Sequence, residues 1–387
     1  MNIEGTQSLL NIARKMLKLE AFIHVSTAYA HCYQDKIEEK LYLDNQDFDA
    51  DRIIDLCRKV PSVELNSPAR TRSIIGSHPN TYTFTKAITE GMLGQVSKDL
   101  PLAIVRPSIV VASWQEPFPG KHSPFPWNKR AHNIPHHFSI GWIDNFNGPT
   151  GMIAGAATGV LRTMLVKREN VADIIPVDTA INAMIVAAWL VATERPTEMP
   201  IYNITSGNTN PITWGDIETW ALKSIHQFPV DTALWYPGGS FKNVALYDRV
   251  CRYAFHYAPA YLVDFILFLI RKPRFLRKIV FKMTKAIEAL QFFTINQWRW
   301  TNTNLTHLHS ALTKADPQSL ATFNFDISNM DWKSFIDQYV LGTRHYVLKN
   351  KPETLNSSRK KMKILHLLHF IVQLSFAAFL YYLFMSF

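Results

Sequence analysis

Apolar positions recur every three to four residues across 6–19 (TQSLLNIARKMLKL), which predicts an amphipathic helix. The run 21–27 (AFIHVST) then reads as a short buried strand. Residues 80–98 are helical in pattern, and 102–111 (LAIVRPSIVV) are β-branched and extended. Helices are predicted around 153–166 and 179–194, a strand near 199–205 (MPIYNIT), and a helix after Thr213. This alternation to about residue 225 predicts an α/β fold built on a parallel sheet. Beyond residue 250 the strands fade and the pattern becomes mostly helical.

The end of the chain is apolar on every face. Residues 364–387 carry no formal charge. A helix of that length spans roughly 36 Å, against about 30 Å of bilayer hydrocarbon. Arg359, Lys360, Lys361 and Lys363 precede it, which favours a cytosolic face on that side. A C-terminal transmembrane anchor is therefore expected. The apolar run 260–270 is too short to span. It leads into RKPRFLRKIVFKMTK, which mixes aliphatic and basic residues at helical spacing. That element either lies on a membrane, covers an apolar tunnel, or is an ordinary helix with a solvated basic face.

Charge sharpens this picture. The chain of 387 residues has 41 Lys+Arg and 31 Asp+Glu. Residues 271–363 alone hold 17 basic and 6 acidic side chains, so the surplus belongs to one stretch. Lying between two apolar segments, it points to an anionic membrane surface and away from nucleic acid. Cys32, Cys57 and Cys251 are too few and too scattered for a disulfide framework or a thiolate zinc site. The stretch 121–141 is rich in His and Pro and reads as an irregular insertion. Pro135 breaks the spacing of His132 and His136, and no metal site is expected.

The candidate chemistry lies in TYTFTK. Tyr82 and Lys86 stand at i and i+4, on one helix face. An ammonium near a phenol lowers its pKa, and such a pair can exchange protons with a substrate. Ser26 and Thr27 end the first strand, and Arg106, Pro107 and Ser108 fall in the next. In an open parallel sheet these strand ends converge on the ligand crevice. No Gly-x-Ser-x-Gly elbow is present, so the set suits carbonyl reduction better than hydrolysis.

The order Asn2–Gly5–Thr6 helix, HVST, YTFTK and RPSIV resembles an extended short-chain dehydrogenase/reductase. AFIHVSTAYAHC, GWIDNFNGPTG, ADIIPVDTAINAMIVAAW and FNFDISNMDWKSFIDQYVLGTRHYVLK narrow the resemblance to the alcohol-forming fatty acyl-CoA reductases. It implies a Rossmann-like reductase domain with its substrate-binding part over 1–250 and a helical C-terminal domain over 251–349. A basic linker at 350–363 and the transmembrane tail at 364–387 follow. It implies NADPH as cofactor and a long-chain fatty acyl-CoA substrate, reduced through an aldehyde to a primary alcohol. Tyr82 is then the general acid, Lys86 its partner and a ribose ligand. Thr27 and Ser26 orient the carbonyl, Asn2 completes a proton relay, and Arg106, Pro107, Ser108 and Ile109 line the nicotinamide pocket. The catalytic domain would face the cytosol, on endoplasmic reticulum or peroxisome, in contact with membrane lipid and with room for a homo-oligomer.

The family's glycine-rich strand–loop–helix has no counterpart in this sequence. The expected sheet is therefore partial, begins late in the Rossmann half, and binds NADPH poorly. Two other readings share the Tyr82/Lys86 pair or the greasy tail: a sterol-type dehydrogenase or isomerase, and a non-catalytic membrane-tethered chain that binds acyl lipid.

Overall fold

In the computed structural model, β1 (Phe22–Val25), β2 (Leu102–Pro107) and β3 (Ile201–Ile204) form a parallel sheet in that order. Phe22 pairs with Leu102 and Val25 with Val105; Ile104 pairs with Ile201 and Pro107 with Ile204. Residues 1–42, 49–96, 98–116 and 141–386 are described. The expected insertion at 121–141 lies outside them except for Gly141.

Every residue of β2 is buried, as suits a central strand with both faces covered. Leu102 and Ile104 share one core cluster with Ile3 and Leu10 of α1 (Asn2–Ala13) and with Phe84, Ile88, Met92 and Leu93 of α2 (Thr81–Val96). Ala103 and Val105 alternate to the other face. There α3 (Val177–Glu194) packs on β1 and β2, with the small residues Ala180, Ala183 and Ala187 among those it buries. The chain groups into two compact units, interleaved along the sequence. The first takes residues 1–110, 173–211 and 297–330; the second takes 111–172, 212–296 and 331–387.

The helix expected at 153–166 is corrected. It runs Pro149–Ala157, and Thr163–Leu165 is a strand paired in parallel with Ser240–Lys242. Gly159 makes the break: its φ is 75°, and a Cβ there would meet the Trp235 carbonyl. The predicted strand 102–111 is also divided, resuming at Ile109 after Ser108. The second unit contains α4 (Ala258–Leu269), α5 (Leu276–Ile295) and α6 (Leu355–Ser386). α6 is long and apolar enough to cross a membrane. It packs at its start through Ser358, Met362 and Leu365, and Trp235 Nε1 donates to His369 Nδ1 at 3.1 Å.

Candidate active site

The carboxyl ends of all three strands carry hydroxyls: Ser26 and Thr27 after β1, Ser108 after β2, Thr205 and Ser206 after β3. α2 sets Tyr82 and Lys86 beside the first of these. Its entry is fixed by Asn80, whose side-chain oxygen accepts from Thr83 N at 2.9 Å. The Tyr82 phenol faces the Thr27 hydroxyl, which favours its ionised form, while half its side chain remains open. Lys86 Nζ donates to the Val25 carbonyl at 2.6 Å, at the last residue of β1. Asn2 Nδ2 donates to Thr85 Oγ1 at 3.1 Å, and Thr85 Oγ1 donates in turn to the Tyr82 carbonyl. Asn2, Thr27, Tyr82 and Lys86 are thus joined to one helical turn and one strand end. Ser26 Oγ is buried with no hydrogen-bond partner among the described residues.

The phenol's electrostatics differ from expectation. Burial raises the Tyr82 pKa, and the Thr27 hydrogen bond only partly opposes this. The expected lowering by Lys86 is not realised; its ammonium is held at the Val25 carbonyl. Burial also lowers the Lys86 pKa, with the Glu90 carboxylate acting the other way.

Arg106 is corrected from a pocket residue to a buried strut. Its Nε and Nη2 meet the two Glu90 carboxylate oxygens at 2.9 and 2.6 Å, and Nη1 and Nη2 donate to the carbonyls of Glu38 and Lys40. Pro107 serves the main chain, accepting from Ala28 N. Ser108 N donates to the Ile204 carbonyl and Ile109 N to the Asp173 carbonyl.

Sequence reasoning missed Glu90, although it stands four residues beyond Lys86 and so on the same helix face. It missed His24 too, an inward strand residue whose pKa falls to about 4 through burial and the Lys86 charge. It also missed a distant clamp on the Thr27 loop. Trp300 Nε1 donates to the Ala28 carbonyl and Trp298 Nε1 to the Cys32 carbonyl, each at 2.8 Å, with Tyr29 edge-on to both indoles.

A parallel sheet with helices on both faces, and a tyrosine–lysine helix beside its strand ends, is the architecture of the extended short-chain dehydrogenase/reductases. An NAD-binding family model described as male sterility protein matches residues 1–184, and the Sterile model of the same description matches 255–350. The chain is 38% identical over 363 residues to fatty acyl-CoA reductase 1 of Xenopus laevis, covering 94% of this chain and 65% of the frog protein. It is 36% identical over 381 residues to fatty acyl-CoA reductase 2 of Mus musculus, covering 96% of this chain and 67% of the mouse protein. The chain belongs to the fatty acyl-CoA reductase family, and spans about two thirds of the length of these relatives. The reductase domain of a nonribosomal peptide synthetase from Mycobacterium tuberculosis aligns with a TM-score of 0.45 at 16% identity, covering 90% of this chain and 65% of that one. That likeness is too slight to add to the assignment.

Proposed function

We propose that the protein reduces long-chain fatty acyl-CoA to a primary alcohol by way of the aldehyde, using NADPH, while α6 holds it in a membrane. The observation that carries this reading is the Lys86 ammonium held at the end of β1, one helical turn from Tyr82, whose phenol faces Thr27.

The donors present fit the nicotinamide–ribose half of a dinucleotide. Lys86 gives Val25 one hydrogen bond and keeps other protons for ribose hydroxyls. The buried, unpartnered Ser26 hydroxyl supplies a further polar contact. A nicotinamide bound there would supply hydride to the carbonyl carbon. Thr27 and Ser26 orient the carbonyl oxygen, and Tyr82 gives it a proton. The raised phenol pKa suits this role, because the group stays protonated at neutral pH. The first hydride and proton convert the thioester to a hemithioacetal. Its C–S bond breaks, coenzyme A leaves as the thiol, and the aldehyde remains. A second equivalent of reduced cofactor, exchanged for the oxidised one, would supply the hydride that takes the aldehyde to the alcohol, with Tyr82 again giving the proton. The basic residues at 359–363 favour a cytosolic catalytic face.

The test uses the full chain in lipid nanodiscs with palmitoyl-CoA, following NADPH absorbance and alcohol product. Tyr82→Phe should lower turnover about 10²- to 10⁴-fold. Turnover above a tenth of wild type in that variant would reject the assignment of the acid. Palmitoyl-CoA binding without NADPH oxidation in the wild type would favour the lipid-binding reading, and turnover confined to a hydroxysteroid the sterol one.

A further inference from the structure

α4 is built inside out for a helix in water. Its one charged residue, Asp264, is turned inward with Ala260, and both are buried. Tyr261, Leu262, Phe265, Phe268 and Leu269 are each more than half exposed, and Ile270 continues the face. An ordinary surface helix shows the reverse order. A continuous exposed apolar face of this kind marks a binding surface.

What covers it is indicated by the turn that follows. Both Asp264 carboxylate oxygens accept from the first amides of α5, with Phe275 N at 3.1 Å, Leu276 N at 3.0 Å and Arg277 N at 3.1 Å. The hairpin angle is therefore set from within. Arg271, Lys272, Arg274, Arg277 and Lys278 gather with Phe268 around a cleft of about 490 Å³. The Arg274 guanidinium lies 5.5 Å from the Phe268 ring and that of Arg277 5.8 Å from the Tyr261 ring. The cations thus rim the apolar face, an arrangement that matches acyl chains below anionic headgroups. On α5 itself Ile279 and Phe281 are exposed beside Lys278 and Lys282.

We infer that the α4–α5 hairpin is a second membrane contact, with its apolar face sunk into the headgroup region of an anionic bilayer and its five cations on lipid phosphates or carboxylates. The inference rests on the reading that α6 spans the same bilayer, since both belong to one compact unit. A protein partner on this face would need acidic groups around an apolar groove; a bilayer bearing phosphatidylserine offers both at once.

The experiment uses the full chain in nanodiscs of phosphatidylcholine alone or with phosphatidylserine. Cys57 is first changed to Ser, since it is the exposed cysteine among the three. An environment-sensitive fluorophore is then placed by Leu269→Cys on α4, by Leu374→Cys on α6, and by Val63→Cys on the first unit. Brominated lipid should quench the α4 probe severalfold more in the serine-containing disc, and should quench the α6 probe in both. The Val63 probe should answer only to aqueous iodide. Changing Arg271, Lys272, Arg274, Arg277 and Lys278 together to Gln should remove most of the α4 quenching, with the far-ultraviolet circular dichroism unchanged. An α4 probe open to iodide, or shielded from both quenchers, beside a lipid-quenched α6 probe would overturn the hairpin contact and leave the anchor standing. Loss of lipid quenching at the α6 probe would instead overturn the anchor.

Discussion

Glu90→Gln is the change with the most to say about how the site is held. Glu90 Oε1 accepts from Arg106 Nε at 2.9 Å, and Oε2 accepts from Arg106 Nη2 at 2.6 Å and from His31 Nε2 at 2.9 Å. The side chains are 1%, 0% and 4% exposed for Glu90, Arg106 and His31. Glutamine removes the charge and turns an NH2 towards a guanidinium that stays buried and ionised. Breaking a buried pair from one side costs about 3–5 kcal/mol. At about 1.4 kcal/mol per factor of ten, opening of α2 and β2 should become roughly 10²- to 4 × 10³-fold more frequent. Native-state hydrogen exchange at the amides of Ile104, Val105, Ile88 and Leu93 reads this directly. The double change Glu90→Gln with Arg106→Gln removes both charges and should recover most of the loss.

The pH dependence gives a second reading of the same pair. Burial would raise the Glu90 pKa, but the Arg106 charge and the His31 and Arg106 hydrogen bonds outweigh it and hold the carboxyl well below its usual range. Its stabilising share is therefore fully present above the unfolded value of about 4.3 and is lost as pH falls through the lower folded value. The variant should lack that loss. Protection that drops less than about fivefold in Glu90→Gln, or a double variant worse than the single, would refute a charge-paired strut.

His24, His78 and His256 are each lowered to about 4, chiefly by burial, from 6.5. The unfolded chain then binds more protons between those values, so stability should fall as pH drops from about 6.5 towards 4, as followed by urea titration at several pH values. His256 Nε2 also accepts from Arg162 N at 2.8 Å, a bond it cannot keep once protonated. Trp300→Phe keeps a ring against Tyr29 but strips the Ala28 carbonyl of its donor, at about 1–3 kcal/mol. Exchange at Tyr29 to Cys32 should quicken and turnover should fall, with the Tyr82→Phe background showing no further loss of turnover.

Much of the site was readable because its spacing is local. The four-residue step from Tyr82 to Lys86 needs only a helix, and the β-branched runs around 22–25, 102–107 and 201–204 need only burial. Arg106 was misplaced because a basic residue at a strand end reads the same whether it meets a ligand or a carboxylate on the facing helix. The strand at Thr163–Leu165 was missed because a single glycine, Gly159, halts a run whose apolar spacing still fits a helix. The interleaving of the two units has no local signature at all. Asn203 Nδ2 donates to the Ile37 and Thr301 carbonyls, joining segments far apart in sequence.

The tryptophan clamp imposes an order of events at the ribosome. Trp300 and the Ala28 carbonyl it grips are 272 residues apart, and closing a flexible loop of that size costs about 5 kcal/mol. The Thr27 loop therefore stays unsecured while most of the polypeptide is being made. Chaperones that bind nascent chains would meet the β1 end undocked, and the α6 helix leaves the exit tunnel only after the clamp has become able to shut.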